Sequence, residues 1–215
     1  MLALRLEELS KSFGSRPVFC SLNLELKTGQ LCRITGPNGS GKSTLLKILA
    51  QLLNPTNGNL KVFRQGDSLS PEQARNLSFW IAPDFSFYLE LTALENLAFF
   101  CRVRGMCKRN EEIASAIERV GLKGRENQPV GDFSSGMKQR LKFVLALLAE
   151  PQILLLDEPE SNLDQEGKSL LKDFITQIRP KVALFWADNQ PEQMADVDFR
   201  IRLGEKSPGA VSKGT

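Results

Sequence analysis

The sequence contains no histidine, and its four cysteines lack the paired C-x-x-C spacing that is typical of zinc sites. Zinc in proteins is bound mainly by cysteine, histidine and carboxylate groups, so a zinc site here would need an unusual ligand set. The cysteines are therefore expected to be reduced thiols. They are Cys20, Cys32, Cys101 and Cys107.

Long apolar runs are also missing. None approaches the roughly 20 residues that a membrane-spanning helix needs. The first residues, Met1–Glu8, already carry charged side chains and do not form the apolar core of a secretory signal. We expect that the chain neither leaves through a signal peptide nor crosses a membrane by itself.

The charge has no strong bias toward either sign. Lys and Arg number 28 against 25 acidic residues, which gives a net charge of +3. Nothing in this balance indicates nucleic-acid binding, and no nucleic-acid partner is predicted. A chain of 215 residues, 41% of them hydrophobic, can bury a substantial core as one globular domain with an inserted lobe.

One glycine-rich stretch matches the pattern G-x-x-x-x-G-K-[ST] at every specified position. The apolar run Leu31–Thr35 before it predicts a buried strand, and Ser43–Leu53 predicts a helix. In this context backbone N–H groups surround an oligophosphate, Lys42 adds a cation and Ser43 can hold Mg²⁺. The stretch is Gly36, Pro37, Asn38, Gly39, Ser40, Gly41, Lys42, Ser43 and Thr44.

A second motif is the continuous apolar run Ile153–Leu156, followed by Asp157 and Glu158. An uninterrupted apolar strand is expected where both faces of a sheet are covered. Its carboxyl end would deliver both carboxylates to the ligand-binding edge of the sheet. Asp157 is placed to hold Mg²⁺ directly or through water, and Glu158 to polarise an attacking water.

Two further positions have two readings each on sequence alone, and a third is noted for its place after a strand. Asp84 follows the predicted strand Leu77–Ala82 and either faces the phosphates or lies in a surface turn. Phe13 either stacks on an adenine ring or is an ordinary turn aromatic. Asp188 follows the predicted strand Val182–Trp186.

Between Leu91 and Glu150 the apolar residues recur with helical spacing, which indicates a helical lobe inserted into an α/β core. Thr92, Asn110 and Ser135 are the predicted helix starts. The predicted fold class is α/β, with a mostly parallel sheet flanked by helices and an antiparallel N-terminal β portion. Residues 1–85 and 151–205 form the predicted nucleotide-binding core, 86–150 the helical lobe and 206–215 a tail.

The stretch Phe133–Arg140 reads Phe-Ser-Ser-Gly-Met-Lys-Gln-Arg and lies just upstream of the Asp-Glu strand. With the phosphate loop, this order of motifs resembles the ATP-binding subunit of ABC transporters, from Leu2 to Gly204. The usual signature in that family is Leu-Ser-Gly-Gly-Gln. The resemblance implies a P-loop NTPase core, and ATP and Mg²⁺ as ligands.

The resemblance also implies roles for individual residues. Lys42 and Glu158 would be catalytic, and Phe13 would stack on adenine. Ser134, Ser135 and Gly136 would cover the nucleotide held by a second subunit, and Asp164 would lie in the loop that crosses between subunits. Ser43, Asp84 and Asp157 would be the metal ligands.

Two ATP-binding subunits of this family sandwich two ATP molecules, and a homodimer is the expected form. Since no spanning segment is predicted, the membrane-spanning permease would be a separate chain. The expected location is peripheral, at the cytoplasmic face of the membrane.

Two departures from the family put rapid hydrolysis in doubt. Asp84 stands where a Gln is usual, and Asp188 stands where a His that contacts the γ-phosphate is usual. Loss of a preorganised donor at the reacting group costs roughly 10²–10³ in rate, and an ionised Asp would add repulsion. We therefore predict Asp188 at the catalytic position and slow turnover.

The subfamily is indicated by Ile34–Gly36 and by Leu91–Leu97, which reads LTALENL. Both are similar to the small ATP-binding subunit of cytochrome c maturation, a haem-related exporter. No regulatory domain is expected after Gly204. The alternatives are a drug or lipid exporter, a weakly hydrolysing regulatory subunit, and a soluble ATPase of translation or DNA repair. Co-purification with a multi-spanning membrane protein would separate transport from the soluble roles.

Overall fold

The computed structural model describes residues 1–189, 197–204 and 210–213. It divides into two compact units. The first contains Met1–Ala82, Pro151–Pro159 and Arg179–Thr215, and the second contains Pro83–Glu150 and Glu160–Ile178. Among the described residues, no helix is long and apolar enough to cross a bilayer.

The described residues of the first unit form two sheets and two α-helices. Its strands are β1 (Leu2–Phe13), β2 (Arg16–Lys27), β3 (Leu31–Thr35), β4 (Asn57–Arg64), β5 (Asp67–Ser68), β6 (Ser78–Ile81), β7 (Ile153–Asp157), β8 (Ala183–Asp188), β9 (Phe199–Arg202) and β10 (Ala210–Lys213). Its helices are α1 (Lys42–Leu49) and α2 (Pro71–Asn76), with a 3₁₀ turn at Arg179–Lys181.

The smaller sheet is antiparallel, in the order β2-β1-β4-β5. Leu2, Leu4 and Leu6 of β1 alternate toward the core, and a shift in register before Leu9 resets the alternation. Glu8 at this shift has φ 48°, so the chain bends and Leu9 is fully buried. This sheet is the predicted antiparallel N-terminal portion.

The larger sheet has the order β10-β9-β3-β8-β7-β6. The strands from β9 to β6 run parallel, and β10 pairs antiparallel with β9. All five residues of both β3 and β7 are buried, as expected for central strands covered on both faces. The carboxyl ends of β3, β7 and β8 therefore meet at one edge. The α/β fold class is confirmed.

The second unit is helical. It contains α3 (Ala93–Val103), α4 (Asn110–Arg119), α5 (Ser135–Ala149), α6 (Gln165–Ile178) and a 3₁₀ turn at Val130–Asp132. Thr92 caps α3 as predicted, in a reciprocal capping box with Glu95. The rings of Phe143 in α5 and Phe174 in α6 stack with centroids 5.3 Å apart.

Helix α1 ends at Leu49, before its predicted end at Leu53, and the chain differs from the sequence prediction in three larger features. Residues 160–178, predicted in the core, group with the helical unit, because α6 packs on α5. Residues 210–213, predicted in a tail, form strand β10. Strand β8 continues to Asp188, two residues beyond its predicted end at Trp186. The last difference changes which side chain after β8 enters the candidate site.

Candidate nucleotide-binding site

The glycine-rich loop connects β3 to α1, as predicted. The residue that precedes α1 is Gly41, which has φ 102° and no side chain to cap the helix. The N–H groups of the first turn are thus left for an external acceptor. Because the helix dipole also favours negative charge at this end, the loop and helix form an anion-binding site.

The loop is packed so closely that a side chain at Gly41 would not fit. A Cβ there would lie 2.2 Å from Cγ1 of Val18, well inside van der Waals contact. A Cβ at Gly36 would lie 2.5 Å from the carbonyl oxygen of Leu203. Glycine at these two positions is required by contact as well as by backbone conformation.

A pocket of about 800 Å³ opens over the loop. Such a volume is within the range of ligand sites, about 300–1,000 Å³. The pocket is lined by Phe13, Arg16, Pro17, Val18, Asn38, Gly39, Ser40, Gly41, Lys42, Ser43, Thr44, Glu158 and Gly204. Arg16 and Val18 were not singled out from the sequence; their position on β2, opposite the loop, comes from the β1–β2 hairpin.

Phe13 lies at the rim of this pocket and is 55% exposed. A ring accessible from the pocket can stack on a base, because every base offers a flat face. The Lys11 ammonium lies 5.1 Å from the ring centroid of Phe13. The interpretation of Phe13 as a stacking platform for adenine stays a prediction that this placement favours.

The Lys42 side chain lies against the loop that precedes it. Its ammonium donates to the backbone oxygens of Gly36 at 2.8 Å and Pro37 at 3.2 Å, and to Oδ1 of Asn189. Lys42 is only 5% exposed. The positive charge is therefore fixed at the phosphate loop.

The two carboxylates at the end of β7 have different surroundings. Asp157 is the last residue of the strand and is 2% exposed, whereas Glu158 lines the pocket. Glu158 has φ 48°, and its N–H donates to the carbonyl of Ala187 at 2.8 Å. A left-handed residue turns the chain sharply after the strand, which directs Glu158 into the pocket.

Asn189 connects these groups, and sequence reasoning missed it. Its Nδ2 donates to Oδ1 of Asn38 at 2.7 Å and to Oε1 of Glu158 at 3.2 Å. Its Oδ1 accepts from Lys42. One amide thus contacts the cation, the loop and the pocket carboxylate.

Asp188, the residue predicted at this position, has a different partner. Its Oδ2 accepts from Nε of Arg33 at 3.1 Å and from Nη2 at 2.7 Å. Arg33 is 2% exposed, on the neighbouring strand β3. Because β8 extends through Asp188, this residue lies on the face of the sheet that carries Arg33, and Asn189 reaches Lys42 and Glu158 instead.

The donor set fits a triphosphate with Mg²⁺. Mg²⁺ is usually held by one or two carboxylates or hydroxyls together with the phosphates of the substrate. Ser43 at the start of α1 and Asp157 at the end of β7 supply such oxygens in the same unit. Both remain predicted metal ligands.

The predicted signature residues lie in the second unit. Ser134 caps α5, with its hydroxyl accepting from the N–H of Met137 at 3.2 Å. Ser135 is exposed at the start of the same helix, and a Cβ on Gly136 would lie 3.0 Å from the carbonyl oxygen of Asn162. Asp164 accepts from the N–H of Gly167 at 2.8 Å and so caps α6. Their roles toward a second subunit stay predictions.

Asp84 is an exposed residue of the second unit. The segment that carries it is attached to α5, where Lys142 donates to the carbonyl of Pro83 at 3.1 Å. Lys142 is 8% exposed, and this burial lowers its pKa. The interpretation of Asp84 as a metal ligand stays a prediction.

Residues 19–161 match the protein family described as ABC transporter. The chain belongs to the ABC transporter family. It is an ABC-type ATPase domain, with the candidate nucleotide pocket in its first unit. The family prediction is confirmed, whereas the haem-export subtype rests on the sequence alone.

The curated relatives of this ABC domain carry different transport names. It is 33% identical over 95% of its length to the uncharacterized ABC transporter ATP-binding protein YxlF of Bacillus subtilis, covering 69% of that protein. It is 29% identical over 99% of its length to the sulfate/thiosulfate import ATP-binding protein CysA 2 of Rhizobium meliloti, covering 59%. It is 32% identical over 89% of its length to the bacitracin transport ATP-binding protein BcrA of Enterococcus faecalis, covering 63%.

A solved structure of the ATP-binding subunit of an ABC transporter has the same fold. It superposes with a TM-score of 0.84 at 24% identity, over 98% of this chain and 89% of the other. The chain spans about three fifths to two thirds of the length of the three curated relatives. Of the three names, only that of CysA 2 states a direction of transport, which is import.

Proposed function

We propose that this ABC domain binds and hydrolyses ATP to energise export through separate membrane-spanning subunits. The observation that carries the proposal is the convergence of Lys42, Glu158 and the first turn of α1 on one pocket. The N–H groups of the loop and Lys42 bind the phosphates, and Phe13 supports the adenine. Arg16 adds a second cation to the pocket.

The Glu158 carboxylate is the proposed general base, because it enters the pocket at the edge where the terminal phosphate would lie. Mg²⁺, held by Ser43 and Asp157, would neutralise charge that develops on the phosphate oxygens. Asp188 adds no repulsion at this point, since its carboxylate is paired with Arg33. The donor beside Glu158 is the neutral amide of Asn189.

We propose that turnover is slow, because Asp84 and Asp188 stand where the family usually has Gln and His, and the donor beside Glu158 is a neutral amide. Steady-state ATPase measurements on the purified protein, with and without its permease, test this. We expect a rate below the roughly 1–10³ per second of typical enzymes, and its loss in Glu158→Gln. Ordinary turnover that Glu158→Gln abolishes would contradict slow turnover but support the site. Turnover that Glu158→Gln leaves unchanged would contradict the role of Glu158.

The active form is proposed to be a dimer of two such chains, each covering the other's nucleotide with Ser134, Ser135 and Gly136. Asp164 would lie in the loop that crosses between them. Sedimentation of Glu158→Gln with and without ATP tests this, because blocked hydrolysis preserves the closed state. An ATP-dependent dimer is expected. A monomer under both conditions would contradict the composite site.

An aromatic surface on the second unit is the proposed contact for the membrane-spanning subunits. Tyr88 is 51% exposed and stacks edge-on against Phe99, 37% exposed, at 5.2 Å. Apolar rings exposed together favour a protein partner. Tyr88→Ser with Phe99→Ser should lower stimulation of the ATPase by the permease and leave ATP binding unchanged. The matched control is Leu52→Ser, an exposed apolar residue in the first unit.

Haem-related export in cytochrome c maturation is the finer proposal, supported by Ile34–Gly36 and Leu91–Leu97. Drug or lipid export is the alternative, and the name of the bacitracin transport relative favours it. The protein would lie at the cytoplasmic face of the membrane, bound to its permease. Deletion of the gene, followed by measurement of holocytochrome c and of drug resistance, separates the two. Loss of holocytochrome c alone supports the haem-related role.

A regulatory subunit that binds ATP but hydrolyses it weakly is the second candidate. The contact of Asn189 with both Lys42 and Glu158 favours it, since the groups needed for hydrolysis are already engaged. ATPase measurement in the complete complex decides between the two. Hydrolysis that depends on Glu158 of this chain would exclude the regulatory candidate.

A further inference from the structure

Every hydrogen of the Lys42 ammonium already has an acceptor. A lysine ammonium carries three N–H donors. In this structure they go to the carbonyl of Gly36, the carbonyl of Pro37 and Oδ1 of Asn189. A phosphate oxygen can therefore take a direct hydrogen bond from Lys42 only by replacing one of the three.

The orientation of the Asn189 amide follows from its partners. Lys42 can only donate, so the amide oxygen faces it, and an ionised Glu158 can only accept, so the amide nitrogen faces Glu158. The second N–H of the amide goes to Oδ1 of Asn38. An amide turned by 180° would place its nitrogen against Lys42 and its oxygen against Glu158. Only one of the two amide orientations therefore suits both charged partners.

Asn189 is the acceptor that can leave at least cost. The carbonyls of Gly36 and Pro37 belong to the loop backbone, which close packing at Gly36 keeps in place. The Asn189 side chain is exposed and can turn toward water about its Cα–Cβ bond. Its backbone need not move, because the preceding Asp188 is fixed by the ion pair with Arg33.

We propose that Asn189 is a positioning residue that holds Lys42 and Glu158 and gives up Lys42 to a phosphate when ATP binds. This rests on the proposed function, in which the loop binds ATP. The amide competes with the phosphate for Lys42, and it also orients Glu158 through its N–H. Loss of Asn189 should therefore tighten nucleotide binding and lower turnover.

The test is Asn189→Ala, measured by titration with a fluorescent ATP analogue and by steady-state kinetics. Removing the competitor should tighten nucleotide binding about 3- to 10-fold, because the amide no longer competes with the phosphate for Lys42 and water replaces it only in part. Turnover should fall about tenfold, because Glu158 loses a donor that orients it. A merely structural role would weaken binding and turnover together.

Asn189→Asp supplies the opposite change. It keeps an oxygen for Lys42 and adds a negative charge, so nucleotide binding should weaken about tenfold. The matched control is Asn59→Ala, which removes an exposed amide from β4 of the same unit. The control should leave affinity and turnover unchanged, and equal melting temperatures would show that all variants fold.

Three outcomes bear on the proposal. Tighter binding in Asn189→Ala with weaker binding in Asn189→Asp supports it. Unchanged or weaker binding in Asn189→Ala, with normal binding by the wild type, overturns the role of Asn189 and leaves the ATP site intact. Failure of the wild type to bind the analogue overturns both.

Discussion

Removing one member of the Arg33–Asp188 pair should destabilise the first unit far more than removing both. Two hydrogen bonds join Arg33, 2% exposed, to a carboxylate whose side chain is 14% exposed. Breaking a buried pair from one side costs about 3–5 kcal/mol. Because water partly reaches Asp188, we expect about 3 kcal/mol for Arg33→Met. The double variant Arg33→Met/Asp188→Leu should lie within about 1 kcal/mol of wild type, since an apolar replacement leaves no buried charge.

Urea unfolding followed by tryptophan fluorescence measures this change. Both tryptophans, Trp80 and Trp186, lie in the first unit, so the signal reports the unit that contains the pair. The control is Lys61→Met, which breaks an exposed pair with Glu7 and should cost about 0–1 kcal/mol. If the double variant costs as much as the sum of the two single variants, the two residues are not coupled and the reasoning is refuted.

Three other predictions concern the loop, the rim and a helix cap. Gly41→Ala should weaken ATP binding at least tenfold, because the added Cβ meets Val18. Gly39→Ala, with no atom within 4 Å of the added Cβ, should weaken ATP binding only a few-fold. Equal losses of affinity in a titration would contradict this. Phe13→Ala should weaken ATP binding about tenfold if an adenine stacks there, and Phe13→Trp should preserve it. The backbone N–H of Thr92, and then its hydroxyl, lower the pKa of Glu95. The stabilisation by this cap should therefore be complete above the ordinary glutamate pKa and lost as the pH falls through the lowered value. The melting difference between wild type and Glu95→Gln should thus shrink as the pH falls below the ordinary glutamate pKa.

The parts of the site that could be predicted are those whose chemistry is local in sequence. The phosphate loop needs closely packed glycines and a lysine within nine residues, directly after a strand. The Gly36–Thr44 stretch contains the glycines and the lysine, and it follows the strand Leu31–Thr35. The end of strand β7 is likewise visible in the sequence, because the apolar run stops at Asp157 and Glu158. The cap at Thr92 is a third example, since both of its partners lie within four residues.

Asn189 could not be found in the same way. The predicted strand ends at Trp186, so Asp188 reads as a residue beyond the strand. Its partner Arg33 is 155 residues away in sequence, on β3. The signal that was available is an arginine inside an otherwise apolar central strand, which needs a buried carboxylate. The place of α6 also depends on a distant contact, between Phe143 and Phe174.

Calorimetric titration with ATP and Mg²⁺, on the wild type and on Lys42→Ala, tests the nucleotide site most directly. Lys42 is the buried cation of the loop. The other two side chains that contact Asn189, those of Asn38 and Glu158, carry no positive charge that could replace it. We expect measurable binding by the wild type and at least about tenfold weaker binding by Lys42→Ala, since hydrogen bonds between charged groups are the stronger ones. Equal affinities, or no binding by a folded wild-type protein, would contradict an ATP site at this loop.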